Sequence, residues 1–354
     1  MKIDPEIFEE LGVRDPEETK REMSISKRMR EIKKELKNDP DNLELLMDLG
    51  GLYIDAGGFE EAIKTLRTVI NKNHRLARAY KLIGTAYAMS NHEEEALREL
   101  NRAVELDPND AESHFNLGGV YMLGDYFENA IRSFKNVVAL DPTDTTAYAN
   151  LAAAYDMQKQ YDEEIVVLKK VLMFNPEDKE LRSALSTAYF NAGDYDEALQ
   201  NGLCVVELDN KDPQAYCNLG SCYSAKNMVD EAIKSFQRAS EISPDYSLPH
   251  TNLGSLYATI GRLEKAIKEF KIATSLNKSD ALAWYNLYNC YKDVGRTDDA
   301  NEAYRIYETL MKGAAEEGAD ANQSNIPGGV SSTGRLASGD SMDQSAPGTE
   351  SISS

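Results

Sequence analysis

The chain has 354 residues, 42% of them hydrophobic, with 60 acidic against 39 basic side chains and a formal net charge of −21. That apolar content is ample for burial, so a wholly disordered chain is excluded. The charge repels nucleic-acid phosphates and anionic lipid, which excludes nucleic-acid binding and membrane insertion as leading functions.

Residues 1–17, opening MKIDPEIFEELGV, hold no apolar stretch of the kind a secretory signal needs, and no run approaches a membrane span. Four cysteines (Cys204, Cys217, Cys222 and Cys290) form no CxxC pair and read as buried reduced thiols. Cytoplasm is therefore the expected location. Residues 18–42 form a capping segment, with a helix predicted over 18–38 that stops before Pro40. It carries Lys20, Arg21, Lys27, Arg28, Arg30, Lys33, Lys34 and Lys37. This basic face is either solvated surface or a contact for an acidic partner.

From 43 to 312 one unit recurs every 34 residues, marked by Tyr53, Tyr87, Tyr121, Tyr155, Tyr189, Tyr223, Tyr257 and Tyr291. The units are 43–76, 77–110, 111–144, 145–178, 179–212, 213–246, 247–280 and 281–312. Four residues before each tyrosine stands Leu49, Ile83, Leu117, Leu151, Leu185, Leu219, Leu253 or Leu287. Nine residues after it stands an alanine, except for Glu164 in the fourth unit. A period of this length means stacked units rather than one globular core. Each unit shows two apolar-periodic helical stretches. Between them lies Gly57, Asn91, Asp125, Lys159, Gly193, Asn227, Gly261 or Gly295, a position suited to a left-handed helix end. Pro108, Pro142, Pro176 and Pro244 stop the second helix. Gly50, Gly84, Gly118, Gly220 and Gly254, with the alanines, are small where the two helices should cross. The fourth and fifth units depart from this pattern at Glu164, Ser186, Gly202 and Asn210, so 160–205 is expected to be the least stable internal stretch. Residues 313–354 are Gly-, Ser- and Asp-rich and are expected to be a disordered tail.

The chain resembles the tetratricopeptide repeat family. The resemblance is carried by Trp284–Leu287–Tyr291–Ala300 and by Tyr216–Leu219–Gly220–Tyr223–Ala232–Phe236–Ala239–Pro244. It implies an all-α, right-handed α-solenoid of eight antiparallel helix pairs, with the first helix of each pair lining a concave groove. Members of this family mostly bind peptides or partner proteins there.

No catalytic, metal or cofactor motif stands out, and none is expected. The glycine spacing at 329–334 lacks the lysine of a phosphate-binding loop. His114 and His250 fall at the family's aromatic position and read as packing residues. Asn116, Asn150, Asn218, Asn252 and Asn286 each precede the core leucine by one residue, about 100° from the buried stripe. An amide offers a donor and an acceptor, so it can hold a peptide backbone of any sequence. In some members of the family an asparagine ladder at this position grips an extended peptide. The alternative is that these amides are a family habit without a ligand. Phe115, Met122, Met157 and Phe190, with Met89, should flank the groove floor. Lys81 and Asn116 match two positions of a carboxylate-binding set found in some members. Thr85, Thr146 and Asn150 replace the rest, which argues against such a clamp.

These readings converge on a non-enzymatic scaffold or adaptor that binds extended peptide segments of protein partners. The alternative is a regulatory or targeting subunit of an enzyme whose catalytic chain is separate. Tyr304, Tyr307 and Met311 at the end of the array predict weak self-association there.

Overall fold

The computed structural model describes residues 16–321. Among these are seventeen helices and no strand. The first is α1 (Pro16–Glu35), and eight pairs follow: α2 (Leu43–Asp55) with α3 (Phe59–Lys72), α4 (Ala77–Met89) with α5 (Glu93–Leu106), α6 (Ala111–Leu123) with α7 (Phe127–Leu140), α8 (Thr145–Met157) with α9 (Tyr161–Leu172), α10 (Lys179–Ala192) with α11 (Tyr195–Leu208), α12 (Pro213–Ala225) with α13 (Val229–Ile242), α14 (Leu248–Thr259) with α15 (Leu263–Leu276), and α16 (Ala281–Asp293) with α17 (Thr297–Ala321). The chain divides into two compact units at residues 181 and 182. In the first, α1 packs on α2, each later helix through α9 packs on the one before it, and the first helices α2, α4 and α6 also touch. In the second, α11 to α17 follow the same rule, with α12 on α14 and α14 on α16.

Local chemistry explains where the helices start and stop. Asn42, Asp110, Asp144, Asp212 and Asp280 cap first helices by accepting a backbone N–H from the opening turn. All eight expected turn residues adopt positive φ, between 55° and 89°. Four are glycine, and the others are Asn91, Asp125, Lys159 and Asn227, where the turn imposes that conformation on a side chain.

The core is the repeated leucine–alanine set, with Tyr155, Tyr189, Tyr257 and Tyr291 buried beside it and the other four repeat tyrosines half-buried. All eight residues at the Leu49 register are at most 6% exposed, and the alanines from Ala62 to Ala300 at most 4%. The crossing glycines are required by contact. A Cβ on Gly118 would lie 2.8 Å from Phe134, and one on Gly220 would lie 2.6 Å from Phe236. In the fifth pair, the expected departures at Ser186 and Gly202 face each other. Ser186 Oγ donates to the Ala198 carbonyl at 2.7 Å, and a Cβ on Gly202 would sit 3.3 Å from that hydroxyl. In the last pair the crossing carries Tyr288 and Tyr304, with ring centroids 5.0 Å apart.

Two expectations shift at the ends. α1 begins at Pro16 and ends at Glu35 rather than spanning 18–38; Ile32 is fully buried and Lys33 lies over the Tyr53 ring. α17 continues to Ala321, so the tail expected from 313 begins as helix. Ala and Glu dominate that stretch, and both are strong helix formers. The tail over 322–354 and the segment 1–15 lie outside the described residues.

Candidate functional site

Helix period sets which side chains each first helix presents together. Residues four, seven and eleven apart share one face. On α6 this face carries Glu112, Asn116, Gly119 and Leu123, and on α8 Thr146, Asn150, Ala153 and Met157. On α4 it carries Arg78, Leu82, Thr85 and Met89.

The two cations of α4 are already paired. Arg78 reaches Glu44 at 3.1 Å and Asp48 at 2.8 Å. Lys81 Nζ lies 3.1 Å from Asp110 and 2.5 Å from Glu112. Burial lowers the affinity of Lys81 for its proton, but the two carboxylates outweigh burial and hold it above the ordinary lysine value. The expected groove lysine is therefore an internal tie between neighbouring first helices. Asp110, while pairing Lys81, also caps α6.

The asparagines divide into four kinds. Asn116 and Asn150 are half-buried and spend only their NH₂ groups, on Thr85 Oγ1 at 3.0 Å and on the Thr146 carbonyl at 2.9 Å. Asn218 spends its carbonyl, accepting from Gln214 Nε2 at 2.8 Å. Each of these three keeps hydrogen-bonding capacity for a further group. Asn286 is half-buried. Asn252 is only 6% exposed, so it does not present its amide outward as the helical angle suggested. The angle describes one helix in isolation, whereas α14 packs on α12, α13, α15 and α16.

The expected apolar residues also divide. Phe115 packs edge-on against Phe134 at 5.7 Å, and Phe190 lies 5.4 Å from Tyr195, so both are half-buried against their own second helices. Met122 is half-buried, while Met157 is 55% exposed. Sequence reasoning missed Leu123, at 73% the most open of these. Its signal was present, because Met89, Leu123 and Met157 keep the 34-residue spacing.

The residues read as packing hold that role. Tyr80, His114 and Trp284 share one register, and each bonds the backbone carbonyl six residues earlier, at 3.3, 3.0 and 3.0 Å. His250, at the same register, instead meets Glu269 at 2.8 Å. Burial pushes the thiol of Cys217 up to about 12 and those of Cys222 and Cys290 up to about 11, which leaves them unreactive near neutrality. Cys204 is half-exposed and departs from the buried expectation. No helix among the described residues is long and apolar enough to cross a membrane.

Paired helices repeated in register, with a shared outward face, define a helical-repeat scaffold for protein interaction. Models described as tetratricopeptide repeat match residues 31–85, 111–144, 145–178, 213–246 and 249–280, and one described as TPR repeat matches 93–124. Together they cover more than half of the sequence, and the chain belongs to the tetratricopeptide repeat family. Comparison with curated proteins gave no match. Among solved structures, YrrB, titled a TPR protein with an unusual peptide-binding site, is 24% identical over 52% of this chain and 95% of its own, with a TM-score of 0.47. MamA is 27% identical over 48% of this chain and 92% of its own, with a TM-score of 0.45. The Cut9–Hcn1 hetero-tetramer of APC/C is 17% identical over 74% of this chain and 52% of its own, with a TM-score of 0.44.

Proposed function

We propose that this protein is a non-enzymatic cytoplasmic adaptor that holds extended peptide segments of partner proteins on the face of its first helices. The observation that carries this reading is the half-used amides of Asn116 and Asn150, set at one register on successive helix pairs of the first unit, with Asn218 at the same register in the second. An extended strand leaves its own N–H and C=O groups open, and such amides can satisfy them without reading sequence. The test is selection on a peptide array with the full chain, followed by titration of selected peptides against Asn116→Ala, Asn150→Ala and Asn218→Ala. Each substitution should weaken binding by about 0.5–1.5 kcal/mol with the fold intact. Unchanged affinity in all three variants would make the amides a family habit.

At the C-terminal end, Tyr304 and Met311 are 38% and 48% exposed, which favours weak self-association there. Sedimentation at rising concentration should show a growing dimer fraction. A strict monomer at millimolar protein would refute it.

A further inference from the structure

Met89, Leu123 and Met157 occupy one register on α4, α6 and α8 and are 56%, 73% and 55% exposed. The same register in the other five pairs holds Asp55, Asn191, Ala225, Thr259 and Asp293. An apolar row of this kind is therefore not imposed by the fold. Leu123 lies seven residues after Asn116, and Met157 seven after Asn150, so row and amides share a face about 10 Å apart along the helices.

The edge beside the row is strongly acidic. Glu93, Glu94 and Glu95 open α5, and the Glu93 carboxylate lies against Gly124, directly after Leu123. Asp125, Glu128 and Asp156, close in sequence to Leu123 and Met157, are also exposed. None of these six carboxylates has a cationic partner among the described residues.

Spacing and open backbone groups together decide the shape of the occupant. Packed helices such as α4 and α6 lie about 8–10 Å apart. Three residues of extended chain cover about the same distance, and polyproline II geometry turns every third side chain to one side. An α-helix could also place side chains on such a row about every seven residues, but its backbone groups are already paired, whereas an extended chain leaves them open for Asn116 and Asn150.

We propose that the first-helix face of residues 16–181 binds an extended basic segment with apolar side chains at every third position, seated on Met89, Leu123 and Met157. The proposal rests on the peptide-binding reading above and adds the class of peptide. Lysine or arginine between the apolar positions faces the open carboxylates, and the unspent Asn116 and Asn150 oxygens accept from its backbone.

The test uses the full chain and three labelled synthetic peptides read by fluorescence anisotropy: a Leu-Lys-Pro repeat, a Leu-Glu-Pro repeat, and a peptide of the first composition whose leucines are regrouped so that none are three apart. The first should bind at least tenfold tighter than either other, and its affinity should fall as salt rises. Leu123→Asp should abolish that preference. Because Leu123 is open to solvent, its circular dichroism and melting should match the parent. Equal binding of all three peptides, or an unaffected Leu123→Asp, overturns the proposal. If array-selected peptides still depend on Asn116 and Asn150 in that case, the broader reading survives. If Leu123→Asp instead shifts the monomer–dimer balance in sedimentation, the row is occupied by a second copy and the proposal fails.

Discussion

The two compact units build the same frame and finish it differently. In residues 16–181 three of the four first helices carry an apolar residue at the outward register, Met89, Leu123 and Met157, and the other carries Asp55. In residues 182–321 the same register holds Asn191, Ala225, Thr259 and Asp293. Thr259 donates to the carbonyl four residues earlier at 2.9 Å, so it covers its own helix. The leucines, alanines and crossing glycines beneath vary far less, because packing leaves them little freedom. Variation between the units is therefore concentrated in the outward register, where packing does not fix the side chain. The units also break the crossing rule differently. The first places Glu164 there, and the second places Ser186 opposite Gly202.

The larger effect belongs to Glu164. It is 5% exposed and its Oε2 has no partner, so it neither moves outward nor finds a cation. Glu99 in the same unit is equally buried but meets Arg67 at 2.9 Å and Arg98 at 3.3 Å. Burial first, and then the nearby Asp156 charge, push the Glu164 carboxyl from 4.5 up to about 8. Between those values the folded state holds a proton that the unfolded state has released. Stability is thus full below the lower value and falls as pH rises through the higher one. Acidification from pH 8 to 6 should raise the melting temperature of the parent. Glu164→Ala should stabilise it at pH 8 by roughly 1–3 kcal/mol and flatten this slope. Melting curves of both proteins at several pH values check this. An identical slope in the variant would assign the pH response to the overall net charge. A slope that follows residues 182–321 would erase the contrast between the units.

Much of the frame was legible because packing rules act on single positions. The turn residues were readable because positive φ narrows the choice at one site per repeat. The crossing glycines were readable because two axes approach there. What escaped was relational. The sequence did not show that Lys81 meets Asp110 and Glu112 across a helix pair, since acidic residues are common everywhere. It did not show that Asn252 is buried. It listed Ser186 and Gly202 as separate defects although they face each other. The apolar row was readable in principle from its 34-residue spacing, although it mixes a leucine with two methionines.

The smaller effect tests how loosely the second unit closes its aberrant crossing. At Gly202 an added Cβ would meet Ser186 Oγ at 3.3 Å and Leu219 Cδ1 at 3.6 Å, whereas at Gly220 it would meet the Phe236 ring at 2.6 Å. One site asks a hydroxyl to yield by a few tenths of an ångström, and the other asks an aromatic ring to leave. Alanine in a helix interior is favoured over glycine by about 1 kcal/mol, chiefly through the lost backbone freedom of the unfolded chain. Gly202→Ala should therefore stabilise the protein by about 0.5–1 kcal/mol, while Gly220→Ala should destabilise it. Hydrogen exchange in the parent should find 160–205 the least protected internal stretch, and Gly202→Ala should slow exchange within α11. If Gly202→Ala destabilises as Gly220→Ala does, the Ser186 crossing is as tightly closed as the regular ones. The weakness of that stretch would then rest on Glu164 alone.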